Sequence, residues 1–391
     1  MSGPGPSAGR VPSAEWTMAG SLPLTAHCSP LTVLIAGGGT GGHLMPALAI
    51  AQALREAHAD WRVVLVGAER GVEATLLPQR DFPFHLLPLE PIYRRQWWKN
   101  LRWPILAVRL LGRIKGLLDR EHPALVLGTG GYAAGPVVWT AARRGIPTAI
   151  LEQDARPGLV TRWLAPRVRH VYLGAPEARD GLAAGSGTEV FITGSPITPP
   201  APERRERARR RFALPAGQQV VLVTGGSQGA LGLNQLVEQW VDAGGAADLT
   251  LLWATGRGTY HRFRRLHRPP LVQVFDFLDP IADAYAVSDL AVCRAGMMTI
   301  AELCAWGIPS ILVPLPSSAA DHQSHNARAL QLAGAAIAVA QSELSGARLG
   351  SLVRDLLGDP LRLGEMGRRA TARAHPQAVT EICGHLEALL R

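Results

Sequence analysis

The segment LTVLIAGGGTGGHLMPALAIAQAL, from Leu31 to Leu54, decides the fold. It begins with an apolar run rich in β-branched residues, Leu31 to Ala36, which predicts a strand buried on both faces. Five glycines and one threonine follow at residues 37–42, and after His43 an alanine- and leucine-rich run predicts a helix. A strand that turns directly into a helix leaves backbone N–H groups free, and glycine lets an anion approach them. The segment therefore predicts a phosphate-binding turn beside one side chain, His43, that can exchange a proton near neutral pH.

The same alternation of strand and helix continues along the chain. A second glycine-rich turn, GTGGYAAGP, lies at residues 128–136, and a third, GGSQGALGLN, opens the second half at 225–234. Alternating strands and helices indicate βαβ units and parallel sheets. The chain is therefore expected to form two similar α/β domains with a deep cleft between the carboxyl edges of their sheets. The predicted strands after the first are Arg62 to Val66, Phe84 to Leu87, Ala124 to Leu127, Pro147 to Leu151, Val168 to Tyr172, Glu189 to Ile192, Gln219 to Thr224, Leu249 to Ala254, Leu271 to Val274, Leu290 to Val292 and Ser310 to Val313.

Chain length and proline content predict where the domains separate. A chain of 391 residues is too long for one ordinary core, and the prolines at 196, 199, 200 and 202 exclude a regular element there. We expect the arginine-rich run at 204–211 to be a solvated helix face. The predicted organisation is a disordered N-terminal extension at 1–30, an N-terminal domain at 31–193, a linker at 194–203, a C-terminal domain at 204–365, and a terminal helix at 366–391 that packs back on the N-terminal domain.

Composition narrows the classes of partner and site. The net charge of +9 is carried almost entirely by arginine and favours an anionic partner, with a genome-wide arginine bias as the alternative. The four cysteines are widely spaced and form no CxxC pair, which argues against a zinc site or a disulfide framework. No uncharged apolar run reaches about 18 residues, so we expect no transmembrane span.

Two groups of polar residues in the second half predict sugar and nucleotide binding. Glu302 lies in an apolar run, CRAGMMTIAELCAWGIPSILVP, where a charge without a role would be costly. Its carboxylate can accept two hydrogen bonds from a ribose diol. The alternative is a solvated glutamate on a helix. Asp321, His322, Gln323 and Asn326 offer donors and acceptors for sugar hydroxyls. They are a poor set of metal ligands, and because no Asp-x-Asp pair occurs, we expect no required divalent cation.

The segment PIYRRQWWKNLRWPILAVRLLGRIKGLL, from Pro91 to Leu118, is basic and rich in tryptophan. From Ile105 onward its apolar residues recur at helical spacing. Tryptophan and basic residues around an apolar face are typical of a surface that lies on anionic lipid. A buried helix with a basic outer face and a nucleic-acid interface are the alternatives. The residues expected at the lipid surface are Arg94, Arg95, Trp97, Trp98, Lys99, Arg102 and Trp103.

The first glycine-rich turn also contains the letters of GxGxxG, a weak dinucleotide signal when it stands alone. The acidic residue that such a site needs could be Glu69, although the loop around it fits poorly. Nothing further along the chain supplies a site for hydride transfer. A dinucleotide-binding oxidoreductase is therefore the weaker interpretation.

Taken together, these motifs resemble the MurG family, membrane-associated N-acetylglucosaminyltransferases of peptidoglycan synthesis that have the two-domain GT-B fold. The matching stretches cover essentially the whole predicted folded chain, and their number and order make the resemblance specific. They are GGGTGGH (37–43), GTGGYAAGP (128–136), LEQD (151–154), GSP (194–196), GGSQGA (225–230) with Asn234, FLD (277–279), CRAG (293–296) with Thr299 and Glu302, and DHQSHNA (321–327).

The resemblance implies a reaction and a set of site residues. N-acetylglucosamine (GlcNAc) would pass from UDP-GlcNAc to the 4-hydroxyl of the N-acetylmuramic acid (MurNAc) of lipid I with inversion, at the cytoplasmic face of the cell membrane. His43 would be the base, no cofactor beyond a non-essential divalent cation would be needed, and nucleic acid would not bind. The glycine loops 37–42 and 128–131 would hold the acceptor diphosphate, with Gly38, Gly39, Gly130, Gly131 and Tyr132 in contact. Positions assigned to UDP-GlcNAc are Thr40, Gly41, Gly42, Asp154, Thr198, Ser227, Gln228, Leu278, Met297, Met298, Thr299, Glu302, His322, Gln323 and Asn326.

Several positions depart from the family pattern. Asp154 and Ser195 replace asparagines, and Thr198 stands where an arginine is usual; Leu151 and Thr161 also differ. A carboxylate near a diphosphate repels it unless the carboxylate is paired, and we expect Arg156 or Arg162 to pair with Asp154. Two alternatives stay open: another GT-B transferase with a membrane glycolipid acceptor or a different nucleotide sugar, and a non-catalytic membrane-bound scaffold.

Overall fold

Two parallel β-sheets, one in each half of the chain, carry the candidate site. The computed structural model describes residues 30–89, 103–226, 228–318 and 321–391, with the backbone alone at 103–106. The predicted extension up to residue 29 lies outside the described residues. So do the residues from Arg94 to Arg102 that were expected at the lipid surface, Ser227, which was assigned to UDP-GlcNAc, and the side chain of Trp103.

The N-terminal lobe is a parallel sheet flanked by helices. Its seven described strands have the order β3-β2-β1-β4-β5-β6-β7. The strands are β1 (Thr32–Ala36), β2 (Arg62–Ala68), β3 (Phe84–Leu87), β4 (Leu125–Gly128), β5 (Thr148–Glu152), β6 (His170–Leu173) and β7 (Glu189–Ile192); the helices are α1 (Gly41–Ala57), α2 (Glu73–Leu76), α3 (Trp103–Glu121), α4 (Gly131–Arg143) and α5 (Leu159–Leu164).

The C-terminal lobe repeats this architecture. Its six described strands are also parallel and have the order β10-β9-β8-β11-β12-β13. The elements are α6 (Arg204–Arg211), β8 (Val220–Thr224), α7 (Leu231–Asp242), β9 (Thr250–Ala254), α8 (Tyr260–Phe263), β10 (Val272–Phe275), α9 (Ile281–Val287), β11 (Leu290–Cys293), α10 (Met297–Trp306), β12 (Ser310–Leu312), α11 (His322–Leu332), β13 (Ala336–Ala338), α12 (Gly346–Leu357), α13 (Pro360–Thr371) and α14 (Ala378–Ala388).

Strand order places the glycine-rich turns at the ligand-binding points of both sheets. In each sheet the strand order reverses at one point, between β1 and β4 in the N-terminal lobe and between β8 and β11 in the C-terminal lobe. Ligands of open α/β sheets bind in the crevice outside such a point. The turns after β1, β4, β8 and β11 are the four turns that carry the sequence motifs.

Each predicted strand overlaps an observed strand to within two residues at either end. The strand β13 was not predicted, because three residues give too little pattern to distinguish a strand from a helix segment. The chain from residue 193 to 203 contains no helix or strand, and α13 continues across residue 365.

The last helix, α14, lies against α1 of the N-terminal lobe. Its residues Ile382, Cys383 and Leu386 are buried in the same hydrophobic cluster as Leu44 of α1. At one end of this contact, His58 Nε2 lies 2.9 Å from Glu387 Oε1. The chain therefore returns to the N-terminal lobe after completing the C-terminal sheet.

The prediction that the arginine-rich helix α6 presents a solvated face is correct for Arg205 and Arg207, which are exposed, but two other arginines of the helix have a structural role. Arg204 Nη1 and Arg211 Nη1 bind the two carboxylate oxygens of the fully buried Asp283 at 3.0 and 2.7 Å. Burial alone would raise the pKa of Asp283, but the hydrogen bonds from both arginines lower it below the ordinary value. The carboxylate is thus held ionised, and it fixes α6 against α9.

Three aliphatic residues of α3 that recur at helical spacing do not face lipid as expected. Leu110, Ile114 and Leu117 are buried in the core of the N-terminal lobe, whereas Arg113 and Lys115 are exposed. For this part of the segment, the alternative of a buried helix with a basic outer face is the correct one.

Candidate active site

His43 lies in the first turn of α1, directly after the first glycine-rich turn. Its carbonyl oxygen accepts a hydrogen bond of 2.9 Å from Thr129 Oγ1, which joins the two glycine-rich turns of the N-terminal lobe. The imidazole packs against Gly130, whose φ is 102°, and a side-chain carbon at Gly130 would lie only 2.5 Å from His43 Nδ1. Position 130 therefore requires glycine for both conformation and space.

The surroundings of His43 favour its neutral form. Burial lowers its pKa from the ordinary value of 6.5; the carboxylate of Asp154 opposes this shift, and His322 reinforces it. The Nδ1 atom is buried and has no hydrogen-bond partner within the described part of the chain. Because the net shift is downward, the imidazole is neutral at pH 7 and can accept a proton.

Glu73 supports the first glycine-rich turn, and nothing in the sequence singled it out. Its side chain is fully buried, and its Oε1 accepts hydrogen bonds from Gly39 N at 2.6 Å and Ala68 N at 3.3 Å. A side-chain carbon at Gly38 would overlap the carboxylate. A buried carboxylate thus fixes the turn from the core side by accepting the hydrogen bond of the Gly39 N–H. A glutamate at the start of a short helix gives no sequence signal for this role.

Four helices begin at the motif turns without a side-chain N-cap. The N-cap residues are Thr40 for α1, Gly130 for α4, Ala230 for α7 and Gly296 for α10. The first N–H groups of a helix have no partner within the helix. Each of these ends therefore offers N–H donors to an anion, two from each lobe.

Two hydrogen bonds between Asn326 of the C-terminal lobe and residues Asp154 and Ala155 join the two lobes near His43; we call them the clasp. Asn326 Oδ1 accepts from the Ala155 N–H, and Asn326 Nδ2 donates to Asp154 Oδ1, both at 2.8 Å. Asn326 is almost fully buried, and it also donates to Ala295 O at 3.2 Å. His322 Nδ1 lies 3.5 Å from Asp154 Oδ2, which is close but too long for a good hydrogen bond.

The prediction that an arginine pairs with Asp154 was wrong. Among the described residues, neither Arg156 nor Arg162 is hydrogen-bonded or ion-paired with it; Arg156 Nη1 instead lies 3.0 Å from His325 Nε2. The actual partner, Asn326, is 172 residues away in sequence and lies in the other lobe.

In the C-terminal lobe, Glu302 is held by a buried tyrosine. The hydroxyl of Tyr285 donates to Glu302 Oε2 at 2.8 Å. Burial raises the pKa of Glu302, while the Tyr285 hydrogen bond opposes this shift. Glu302 is therefore neither an idle nor a fully solvated helix residue, and its other oxygen remains for a ligand.

The remaining predicted positions are spread over both lobes. Leu278 and Met297 are buried in the C-terminal core, whereas Met298 and Thr299 are half-buried on α10. Gln323 Oε1 accepts from Leu315 N at 2.9 Å, which ties α11 to the loop after β12. The residues that are exposed at the carboxyl edges or on the linker are Thr40, Gly42, Thr198 and Gln228.

Asn234, a residue of the third motif, has a structural role. It is fully buried, its Oδ1 accepts from Trp253 Nε1 at 3.0 Å, and its Nδ2 donates to Thr255 O at 2.8 Å. These bonds fix α7 to the end of β9. The residue therefore holds α7, which follows the third glycine-rich turn, in place.

Within the described residues, no group of three or more histidine, cysteine, aspartate or glutamate side chains is arranged to hold a metal ion.

The fold defines a GT-B glycosyltransferase: two α/β lobes with parallel sheets, joined at the site by the contact of Asn326 with Asp154 and Ala155. The chain belongs to glycosyltransferase family 28. Residues 33–173 match the N-terminal domain of that family, and residues 220–382 match its C-terminal domain. The resemblance drawn from the motifs is thereby confirmed.

Curated relatives are similar over nearly their whole length. The chain is 39% identical over 369 residues to the UDP-N-acetylglucosamine–N-acetylmuramyl-(pentapeptide) pyrophosphoryl-undecaprenol N-acetylglucosamine transferase of Desulforudis audaxviator, covering 92% of this chain and 98% of the relative. It is 37% identical to the enzyme of that name from Carboxydothermus hydrogenoformans, again covering 92% of this chain and 98% of the relative. The solved structure of MurG from Acinetobacter baumannii is 26% identical, with a TM-score of 0.75 over 92% of this chain and 100% of that one.

The position of Glu73 predicts that its loss will weaken both the turn and the fold. In Glu73→Ala, the N–H groups of Gly39 and Ala68 lose their acceptor, which we expect to lower the free energy of unfolding by about 2 kcal/mol. Urea unfolding followed by circular dichroism measures this change. Glu56→Ala removes an exposed carboxylate of α1 and is the matched control, expected to change stability by less than about 0.5 kcal/mol. Equal effects of the two substitutions would contradict the role of Glu73.

Proposed function

We propose that this chain transfers GlcNAc from UDP-GlcNAc to the MurNAc 4-hydroxyl of undecaprenyl-pyrophosphoryl-MurNAc-peptide (lipid I), with inversion at the anomeric carbon, to form lipid II. The observation that carries the proposal is the placement of His43 between two glycine-rich turns, beside the Asp154–Asn326 contact with the C-terminal lobe, which we call the donor lobe. The printed names of the curated relatives describe the same transfer for those proteins.

The C-terminal lobe would hold the nucleotide sugar. The uncapped N-termini of α7 and α10 offer N–H donors to the diphosphate. Glu302, fixed by Tyr285, would accept hydrogen bonds from the ribose. His322 and Gln323 begin α11 at the interlobe contact, where the GlcNAc would lie. Ser227, which the motif also assigns to the diphosphate, lies outside the described residues.

The N-terminal lobe would hold the acceptor. Its diphosphate would lie against the uncapped N-termini of α1 and α4. The acceptor hydroxyl must lose a proton as it attacks, and neutral His43 is placed to take it. The leaving UDP gains negative charge, which the helix N-termini of the C-terminal lobe stabilise. We expect transfer without an added divalent cation.

A dinucleotide-binding oxidoreductase is less well supported. Glu69, the acidic residue that such a site would need, is exposed and ion-paired with Arg113 at 3.2 Å. The two interpretations differ in a simple measurement, because the transferase binds UDP-GlcNAc, whereas the oxidoreductase binds NAD(P)H and not UDP.

Transfer from UDP-GlcNAc to a lipid I analogue tests the proposal. We expect the wild-type chain to form the disaccharide product and His43→Ala to lower kcat by about 10²- to 10⁴-fold, because the general base is lost. UDP binding should be retained, since His43 lies in the other lobe. His261→Ala, at an exposed histidine of the C-terminal lobe, is the matched control and should have wild-type turnover.

Two outcomes would contradict the proposal. Transfer to diacylglycerol and not to the lipid I analogue would indicate another GT-B transferase. A turnover in folded His43→Ala equal to that of an active unmodified chain would exclude His43 as the base. No turnover in the unmodified chain would favour a non-catalytic scaffold.

We also propose that the enzyme works as a peripheral protein at the cytoplasmic face of the cell membrane, where a lipid-linked acceptor lies. In the described part of the chain, no helix is long and apolar enough to cross a bilayer. Support for surface binding comes from α4 and α5. Trp139 and Trp163 are stacked with ring centroids 6.0 Å apart, and Arg143 and Arg167 lie over these rings. The neighbouring Leu159 is 73% exposed.

We call Trp139, Arg143, Leu159, Arg162, Trp163 and Arg167 the basic-aromatic face. Tryptophan and arginine beside an exposed leucine suit the interface of an anionic bilayer. This face was missed in the sequence because its residues lie on α4, on α5 and on the turn after α5, with β5 between the two helices.

Vesicle binding tests this face. For vesicles containing anionic lipid, we expect the paired change Arg162→Gln and Arg167→Gln to weaken binding by about tenfold or more, since each arginine near the surface is worth about 1 kcal/mol. Binding should also fall steeply with salt. Leu159→Ser should weaken binding too, whereas Leu361→Ser, at an 87% exposed leucine of the C-terminal lobe, should not. Salt-independent binding, or an equal effect of both leucine changes, would contradict the assignment.

A further inference from the structure

The turn after β5 is fastened to both lobes at once. Gln153 Nε2 donates to Gly42 O at 2.7 Å, which ties the turn to the residue preceding His43. The Asp154 N–H donates to Glu152 Oε1 at 3.1 Å, and the Gly158 N–H donates to Glu152 Oε2 at 2.9 Å, so Glu152 fixes the turn internally. On its other side the turn meets Asn326 of α11. The carboxylate of Asp154 is therefore held between the helix of His43 and the donor lobe.

We propose that Asp154 is a positioning residue with two effects: it ties the donor lobe to the acceptor lobe through Asn326, and its charge stabilises His43 after His43 has taken the acceptor proton. This inference rests on the proposed glycosyl transfer and adds to it a group that acts through His43.

The proton balance of the step shows why a charge is needed. The acceptor hydroxyl gives its proton to His43 as its oxygen forms a bond to the anomeric carbon. The bond from that carbon to the UDP oxygen breaks, and UDP leaves with the electron pair. His43 thereby becomes an imidazolium in a partly buried site, where an uncompensated charge is costly. The nearby carboxylate lowers that cost.

The hydrogen bond to Asn326 does not itself require a carboxylate. The oxygen of an amide side chain could accept from Asn326 Nδ2 just as well. An amide carries no negative charge, however, and it is the charge of Asp154 that opposes the lowering of the His43 pKa by burial. The other ionisable groups that act on His43 are His322, which lowers its pKa, and Glu73, which raises it more weakly than Asp154 does.

The substitution Asp154→Asn separates the two effects. It keeps an acceptor for Asn326 and removes the charge. We expect the acid limb of the pH profile of kcat/KM to move to lower pH, because the pKa of His43 falls further when the carboxylate is gone. We expect kcat on the plateau to fall by about tenfold or more, since the imidazolium loses its counter-charge, with the KM for UDP-GlcNAc within about twofold of wild type.

Asn326→Ala is the complementary variant. It removes the clasp and keeps the carboxylate, so the KM for UDP-GlcNAc should rise by about tenfold while the acid limb stays in place. Asp81→Asn, at a fully exposed carboxylate of the same lobe, is the charge control and should change neither quantity. The same signature in Asp154→Asn and Asn326→Ala would overturn the proposal, because Asp154 would then act only through the hydrogen bond.

A titration of the histidine side chains by NMR gives a readout that does not depend on turnover. With His43→Ala used to assign the resonance, the pKa of His43 should be lower in Asp154→Asn than in the wild-type chain. An unchanged pKa would overturn the proposal even if turnover fell. Because the wild-type transfer assay tests the function separately, a failure of this proposal would be distinct from a failure of the function.

Discussion

The contact between Asn326 and the turn at residues 154–155 is the interaction on which the site depends. One buried amide satisfies a backbone N–H and a carboxylate of the opposite lobe at 2.8 Å each. The same turn is bound to α1 through Gln153. The position of the C-terminal lobe and the position of His43 are therefore fixed through the same few residues. Losing Asn326 would leave the buried Ala155 N–H without its acceptor, and the cost of that loss favours a single arrangement.

In the N-terminal lobe, the site is arranged around backbone groups and not around charged side chains. The glycine-rich turns bring helix N-termini to the carboxyl edge of the sheet, and glycine at 130 makes room for His43. The carboxylate of Glu73 fixes the first turn from the core. This arrangement leaves N–H donors toward the cleft while His43 stays neutral. A site of this kind can bind a diphosphate and still hold a base next to it.

The parts of this structure that could be predicted from the sequence are those with a local pattern. Apolar runs followed by glycine gave the strands and the four motif turns, and the motif spacing gave the family. The rest depends on contacts between residues far apart in sequence. Asp154 was expected to pair with a nearby arginine, but its partner is Asn326. Arg204 and Arg211 looked like a solvated face because the buried Asp283 lies more than 70 residues away. Likewise, the apolar residues of α3 have the same helical spacing whether they face lipid or the protein core. Only the packing of the helix in the folded chain shows that they face the core.

The central claim is that the nucleotide sugar binds to the C-terminal lobe and faces His43 across the cleft. A crystal structure of the chain with UDP-GlcNAc bound tests this claim most directly. The account predicts the uridine beside Glu302, the diphosphate at the N-termini of α7 and α10, and the anomeric carbon turned toward His43. A nucleotide bound to the glycine-rich turn at residues 37–42, with the C-terminal lobe empty, would contradict it.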